Sequence, residues 1–190
     1  MGHPSHLRVI AGTAKGRRLK LVPGTATRPV MDRVKESLFN ILRPDLPGAN
    51  FLDLYAGTGG VGIEALSQGA AHATFVDLER AAVHTIRTNL ELTGLRELAT
   101  IVQADAFQYL RRPPPQGFDM VYLAPPQYQG LWSRAVQVVD ASEGLVNPDG
   151  LVIAQLDPKE YEQLTLVHLQ LVDERRYGST LLCFYEWPGE

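Results

Sequence analysis

Residues 51–68, FLDLYAGTGGVGIEALSQ, read as a strand, a glycine loop and a helix in immediate succession. The run at 51–55 is apolar apart from Asp53, and the glycines that follow let the backbone turn sharply and approach a ligand closely. The helix after them presents its N-terminus to the same place, as at the carboxyl edge of a parallel sheet. Working outward, further strand candidates fall at 73–77, 100–104, 118–123 and 151–156. Helical segments fall at 60–68, 79–93, 105–111 and 131–141. Strands separated by crossover helices predict an α/β fold with a parallel sheet covered on both faces. Two strand-like runs at 164–173 and 179–187, joined at Tyr177-Gly178-Ser179, predict an antiparallel hairpin at one sheet edge.

The N-terminal part differs. Residues 7–22 alternate apolar and polar side chains around Gly12 and Gly16, which predicts a small β-hairpin, and 23–31 form a turn-rich link. A helix starts at Asp32, read as its N-cap, carries Val34, Leu38, Ile41 and Leu42 at helical spacing, and stops before Pro44, Pro47 and Gly48. The division expected is a basic extension over 1–30 and the main domain over 31–190. Whether the extension is ordered without RNA is open at this point, and Gly12, Gly16 and Gly24 leave room for mobility.

Composition narrows the classes. The 190 residues suit one compact domain with a small extension. With 45% hydrophobic and 21% charged residues, the chain is neither disordered nor collagen-like. No apolar run reaches the roughly 18 residues of a membrane span, and the start lacks the apolar stretch of a signal peptide. A single cysteine, Cys183, excludes a disulfide framework and a Cys-based zinc site, so a cytoplasmic address is expected. His72, His84 and His168 are scattered, and no metal is expected. The net charge of −3 hides a segregation. Residues 1–35 hold eight basic side chains, Lys35 among them, against Asp32 alone, a balance of +7, and the rest of the chain stands at −10. Such a basic segment fits a polyanion, with a solvated edge strand as the plainer reading.

The glycine loop also decides between cofactors. Gly57, Gly59 and Gly62 satisfy GxGxxG, so a dinucleotide oxidoreductase is one reading. Asp53 argues against it, because a carboxylate at that strand end repels a pyrophosphate and suits a cationic ligand such as S-adenosylmethionine. Asp77, at the end of the next strand, can accept from ribose hydroxyls, and Asp105, after the third, can reach an adenine amino group. The cofactor-binding set expected is Asp53, Ala56, Gly57, Thr58, Gly59, Asp77, Leu78, Asp105 and Ala106.

The fourth strand ends in Ala124-Pro125-Pro126-Gln127-Tyr128. It resembles the Asp/Asn-Pro-Pro-Tyr/Phe strand end of methyltransferases that act on exocyclic base amines, where an oxygen and a carbonyl orient the amine and an aromatic ring stacks on the base. Further stretches narrow the resemblance: Arg8-Val9-Ile10-Ala11-Gly12, Gly16-Arg17-Arg18-Leu19, Arg28-Pro29, Asp32-Arg33-Val34-Lys35-Glu36-Ser37-Leu38-Phe39-Asn40, and 53–59 with 62–67. Over residues 8–186 the chain is similar to the bacterial 16S rRNA guanine-N2 methyltransferase family (RsmD-like). That resemblance implies a class I, Rossmann-like methyltransferase fold with a mostly parallel seven-stranded sheet, and methylation of one guanine in 16S rRNA of the small ribosomal subunit or its assembly intermediate. The extension is then expected to contact RNA phosphates through Arg8, Lys15, Arg17, Arg18, Lys20, Arg28 and Arg33, and a monomer is the default because nothing in the sequence suggests an interface. Arg33 has a competing reading as an ion pair with Glu36 or Glu64.

One departure matters. The family's Asp is Ala124 here and its aromatic residue is Gln127. Alanine accepts no hydrogen bond, so backbone carbonyls of the two prolines and the Gln127 amide are expected to receive the amine, with Tyr128 stacking one position later. The alternatives are a non-catalytic or weakly active RNA-binding homologue and a methyltransferase for another base amine.

Overall fold

The computed structural model describes residues 7–24, 32–112 and 114–189. Twelve elements position the site. Helix α1 (Asp32–Leu42) precedes β1 (Asn50–Leu54), α2 (Gly60–Ser67), β2 (His72–Asp77), α3 (Arg80–Thr93) and β3 (Ala99–Gln103). Then come α4 (Ala106–Leu110), β4 (Phe118–Leu123), α5 (Leu131–Asp140), β5 (Val146–Leu156), β6 (Gln170–Tyr177) and β7 (Thr180–Glu186). The seven strands form one sheet in the order β3-β2-β1-β4-β5-β7-β6. The first five are parallel, and β7 runs antiparallel to both β5 and β6. The expected fold class is therefore the one observed. The order reverses between β1 and β4, which opens the carboxyl edge there to a ligand.

Strand alternation sorts the core into two layers. Phe51, Met120, Tyr122 and Ile153 face α1, α2, α3 and the N-terminal segment. Leu52, Leu54, Val121, Leu123 and Val152 face α4 and α5. Among the described residues no helix is long and apolar enough to cross a membrane.

Three expectations about the elements need correction. The strand expected over 164–173 lies instead at Gln170–Tyr177. Leu164 and Leu166 pack on the second core layer as irregular chain. The Asp140 carboxylate holds that chain by accepting from the N–H groups of Val167, His168 and Leu169 at 2.7, 2.8 and 2.7 Å. Strand β5 begins at Val146, five residues before the expected start, because Val146 pairs with Phe118 ahead of an irregularity. Asp32 is the first residue of α1 and not its cap, and its carboxylate meets Arg8 Nε at 3.2 Å.

Residues 7–22 of the N-terminal segment are docked on the main domain. Arg8 and Arg18 form one antiparallel bridge, flanked by Val9 N–H to Arg17 O at 3.0 Å and Leu19 N–H to Leu7 O at 2.8 Å. This is a hairpin too short to count as two strands. Leu7, Val9, Ala14 and Leu19 are buried in the same layer as α1 and α2. Gly12 makes the docking possible, since a Cβ there would lie 1.8 Å from the Ser67 carbonyl oxygen.

Candidate functional site

The loop between β1 and α2 is built from both neighbours. Ala56 N–H bonds Val76 O at 3.0 Å, and Gly59 N–H bonds Ala56 O at 2.8 Å, so the loop is pinned to β2 and closed on itself. Asp77, at the end of β2, accepts from Gly57 N–H through Oδ2 at 2.8 Å and from Glu79 N–H through Oδ1 at 2.9 Å. Each carboxylate oxygen has a second lone-pair direction, so Asp77 can hold the loop and still accept from ligand hydroxyls. Asp105 caps α4: its Oδ1 accepts from Phe107 and Gln108 N–H at 3.0 and 3.1 Å. Its Oδ2 takes no hydrogen bond among the described residues. Open space surrounds Gly57, while Ala106 is buried and Leu78 exposed.

Asp53 departs from expectation. Its side chain is 1% exposed beneath the loop, where it accepts from Gly62 N–H at 2.9 Å. It thus anchors the start of α2 and does not face a ligand directly. Burial pushes its pKa up to about 8, the Gly62 bond pulls the other way, and the Asp77 charge adds to the rise. Gly62 is explained by packing as well, because a Cβ there would meet the Phe75 ring at 2.4 Å. Tyr55, absent from the set expected from sequence, joins the site. Its hydroxyl is buried without a hydrogen-bond partner among the described residues. Burial raises its pKa to about 12, with the Asp105 charge as the next cause and Arg134 opposing. Its place between strand and loop is the one signal that could have found it. Arg134 itself stacks over the Phe107 ring at 4.0 Å.

The segment after β4 is anchored from one side. Pro125 is buried, Ala124 half-buried, and Pro126, Gln127 and Tyr128 are exposed. Tyr128 has a positive φ of 60° and donates its backbone N–H to Glu160 Oε1 at 2.6 Å. Its hydroxyl donates to Asp157 Oδ2, so the ring is tethered while its side chain remains 63% exposed. That hydrogen bond is the first cause holding the Asp157 carboxyl below its ordinary range. Asp157 and Glu160 lie about 30 residues downstream of the loop, and no motif marks them.

The basic segment reaches the same edge. Arg8, Lys15, Arg17, Arg18, Lys20 and Arg33 are exposed, and Arg28 falls outside the described residues. Asn89 of α3 is fully buried and ties this segment to the glycine loop. Its Oδ1 accepts from Lys20 N–H at 2.7 Å, and its Nδ2 donates to Lys20 O at 3.0 Å and to Thr58 O at 2.9 Å. Lys35 leaves the basic surface altogether. It forms a fully buried ion pair with Glu64 at 3.1 Å and donates to Arg8 O at 2.6 Å. Glu64 is therefore engaged by Lys35 and not by Arg33. His72 bonds Thr100 Oγ1 at 2.9 Å, and His168 bonds the Asp140 carbonyl at 3.0 Å. Among the described residues, no three His, Cys, Asp or Glu side chains gather as a metal would require.

The chain is similar to known proteins along most of its length. The family described as "Conserved hypothetical protein 95" matches residues 7–186. The Bacillus subtilis protein YlbH, provisionally assigned as an rRNA methyltransferase, is 37% identical over 96% of this chain and 100% of its own. The Haemophilus influenzae protein named ribosomal RNA small subunit methyltransferase D is 32% identical over 95% of this chain and 93% of its own. Among solved structures, the Escherichia coli yhhF protein, provisionally assigned as a methyltransferase, has a TM-score of 0.86 at 29% identity, covering 97% of this chain and 99% of that one.

Proposed function

The chain belongs to the family described as "Conserved hypothetical protein 95", and on that premise we propose that it methylates the exocyclic N2 amine of one guanine in 16S rRNA. It is an S-adenosylmethionine-dependent rRNA methyltransferase, and the relatives it matches over nearly their full lengths are named rRNA methyltransferases, one of them provisionally. The guanine N2 target and the small-subunit RNA are the finer part of the proposal. The observation that carries it is a convergence at one sheet edge. Asp77 holds the glycine loop while keeping acceptor capacity, Asp105 keeps one oxygen uncommitted among the described residues, and Asn89 fastens the basic segment to the same loop.

Bound S-adenosylmethionine supplies an electrophilic methyl group on a positively charged sulfur. The loop residues Ala56, Gly57, Thr58 and Gly59 would line it, Asp77 with Leu78 would take the ribose, and Asp105, Ala106 and Tyr55 would take the adenine end. Asp53 acts from beneath as a positioning residue. Carbonyls of the Pro125-Pro126 segment would accept from the target amine, and the tethered Tyr128 ring would stack on the extruded base. Held by the Pro125-Pro126 carbonyls, the amine would present its nitrogen to that methyl group, and the proton it sheds would pass to water. No side chain has to ionise, so positioning and exclusion of water supply most of the acceleration.

Exposed Arg8, Lys15, Arg17, Arg18, Lys20 and Arg33, together with Arg28, would contact phosphates and set the RNA's register. A monomer acting in the cytoplasm on the small subunit or its assembly intermediate fits this small basic face. The test is incubation with methyl-labelled S-adenosylmethionine and small subunits lacking this modification, followed by mapping of the label. Label on guanine N2 at one position is the expected result. Label on another base amine would redirect the target, and bound cofactor without transfer would leave an RNA binder.

A further inference from the structure

The segment after β4 presents a chemical gap, because Ala124 offers no side-chain acceptor where the amine must be oriented. The strand next to it fills that gap. In the β4–β5 register Val121 pairs with Val152, Tyr122 with Ile153 and Leu123 with Ala154, the last pair, and Ala124 and Gln155 are the next residues along the two chains. Tyr122 belongs to the first core layer, and Ala124, two residues on and just past the end of β4, packs against that same layer. The Tyr122 hydroxyl donates to Gln155 Oε1, which puts the Gln155 amide on that same face. Tyr122 is 2% exposed, whereas Gln155 is only half-buried. The phenol therefore holds the amide from within the core, at the carboxyl edge next to the amine-binding segment.

We infer that Gln155, oriented by Tyr122, is the side-chain acceptor for the target amine and replaces the carboxylate that Ala124 lacks. The assignment rests on the methyltransferase reading above. Its chemistry is that of one amide oxygen with two lone pairs: Tyr122 occupies one, and an amine N–H takes the other. Tyr122 stays a donor throughout, since burial and then the Asp53 charge raise its pKa well above the ordinary tyrosine value. The fixed Oε1 also places the Nε2 donor, so the amide offers an acceptor and a donor side by side. Guanine presents the complementary pair, N2–H and N3, on one edge. Gln127, the acceptor expected from sequence, is exposed and would have to be ordered on binding, whereas Gln155 is already held.

The experiment is single-turnover methyl transfer to unmodified small subunits at saturating S-adenosylmethionine, with cofactor affinity measured separately by calorimetry. Gln155→Leu should slow transfer about tenfold, the size of one orienting hydrogen bond removed, with cofactor Kd unchanged within about twofold. Gln155→Glu, which keeps acceptor oxygens but loses the Nε2 donor, should transfer faster than Gln155→Leu and slower than the wild type. Tyr122→Phe, which keeps the packing volume and frees the amide, should slow transfer about threefold. Adding Ala124→Asp to Gln155→Leu should restore most of the rate. If Gln155→Leu transfers at the wild-type rate, or loses cofactor affinity in step with rate, the assignment is overturned while the function stands. If the wild-type chain itself transfers no methyl group, the functional reading falls first.

Discussion

The buried ion pair between Lys35 and Glu64 gives the most demanding stability prediction. Both side chains are 0% exposed, with Nζ 3.1 Å from Oε1. Their surroundings are unequal. Glu64 also accepts from Ile10 N–H at 2.8 Å, Ala11 N–H at 3.2 Å and Gln68 Nε2 at 2.9 Å. Lys35 has only the Arg8 carbonyl besides its partner among the described residues. Glu64→Gln strands the ammonium in the core, and breaking a buried pair this way costs about 3–5 kcal/mol. For a domain of this size that lowers Tm by roughly 6–20 °C. Lys35→Met leaves a carboxylate with three N–H donors and should cost less. The double variant should be more stable than Glu64→Gln alone, because no charge is left unpaired. Urea denaturation measures the four chains, and amide exchange at Ile10 and Ala11 reports whether the basic segment undocks. A Glu64→Gln loss under about 1 kcal/mol, or a double variant weaker than either single one, would refute the reasoning.

Three further outcomes follow from the site. Asp77→Ala removes the acceptor for Gly57 and Glu79 N–H and should weaken S-adenosylmethionine binding at least tenfold by calorimetry, with subunit binding unchanged. Arg17→Ala with Arg18→Ala should weaken subunit binding and flatten its salt dependence by about 0.7–0.9 in log–log slope for each phosphate no longer neutralised. The Asp53 pKa is raised to about 8, so between the ordinary aspartate value and pH 8 the folded state keeps a proton that the unfolded chain releases. Wild-type stability therefore falls as pH rises through that window. Asp53→Asn removes this dependence, and it should gain on the wild type by roughly 1 kcal/mol per pH unit in urea titrations between pH 5 and 8. Parallel pH profiles for the two chains would contradict it.

What sequence can and cannot supply divides along the range of the interactions. Helices α2, α3 and α5 and strands β2 and β4 are legible to within a residue or so, because their periodicity is local. Asp77 and Asp105 are legible too, since a strand end before a helix places a carboxylate at the edge. The strand expected at 164–173 fails for the opposite reason: the Asp140 contact that holds 167–169 as irregular chain spans 27–29 residues. Sequence places Asp53 correctly on its strand but suggests that it faces a ligand, and only the packed helix shows that it faces inward. Lys35 counts as surface charge in the sequence because its partner Glu64 sits on another helix.

The docked N-terminal segment bears directly on how the proposed RNA and cofactor sites are related. A loose basic arm would bind RNA without regard to the glycine loop. Here Asn89 holds both sides of the Lys20 peptide and the Thr58 carbonyl with one carboxamide, and Glu64 and Ser67 fix residues 10–14 to the helix that starts at that loop. Phosphates drawn to Arg17, Arg18 and Lys20 would thus be positioned relative to the methyl donor by buried side chains of α2 and α3 and not by a flexible tether. On the proposed function, such rigidity suits methylation of one base in a structured particle, because Lys20 and its neighbours stand at a fixed place relative to the glycine loop before any RNA arrives.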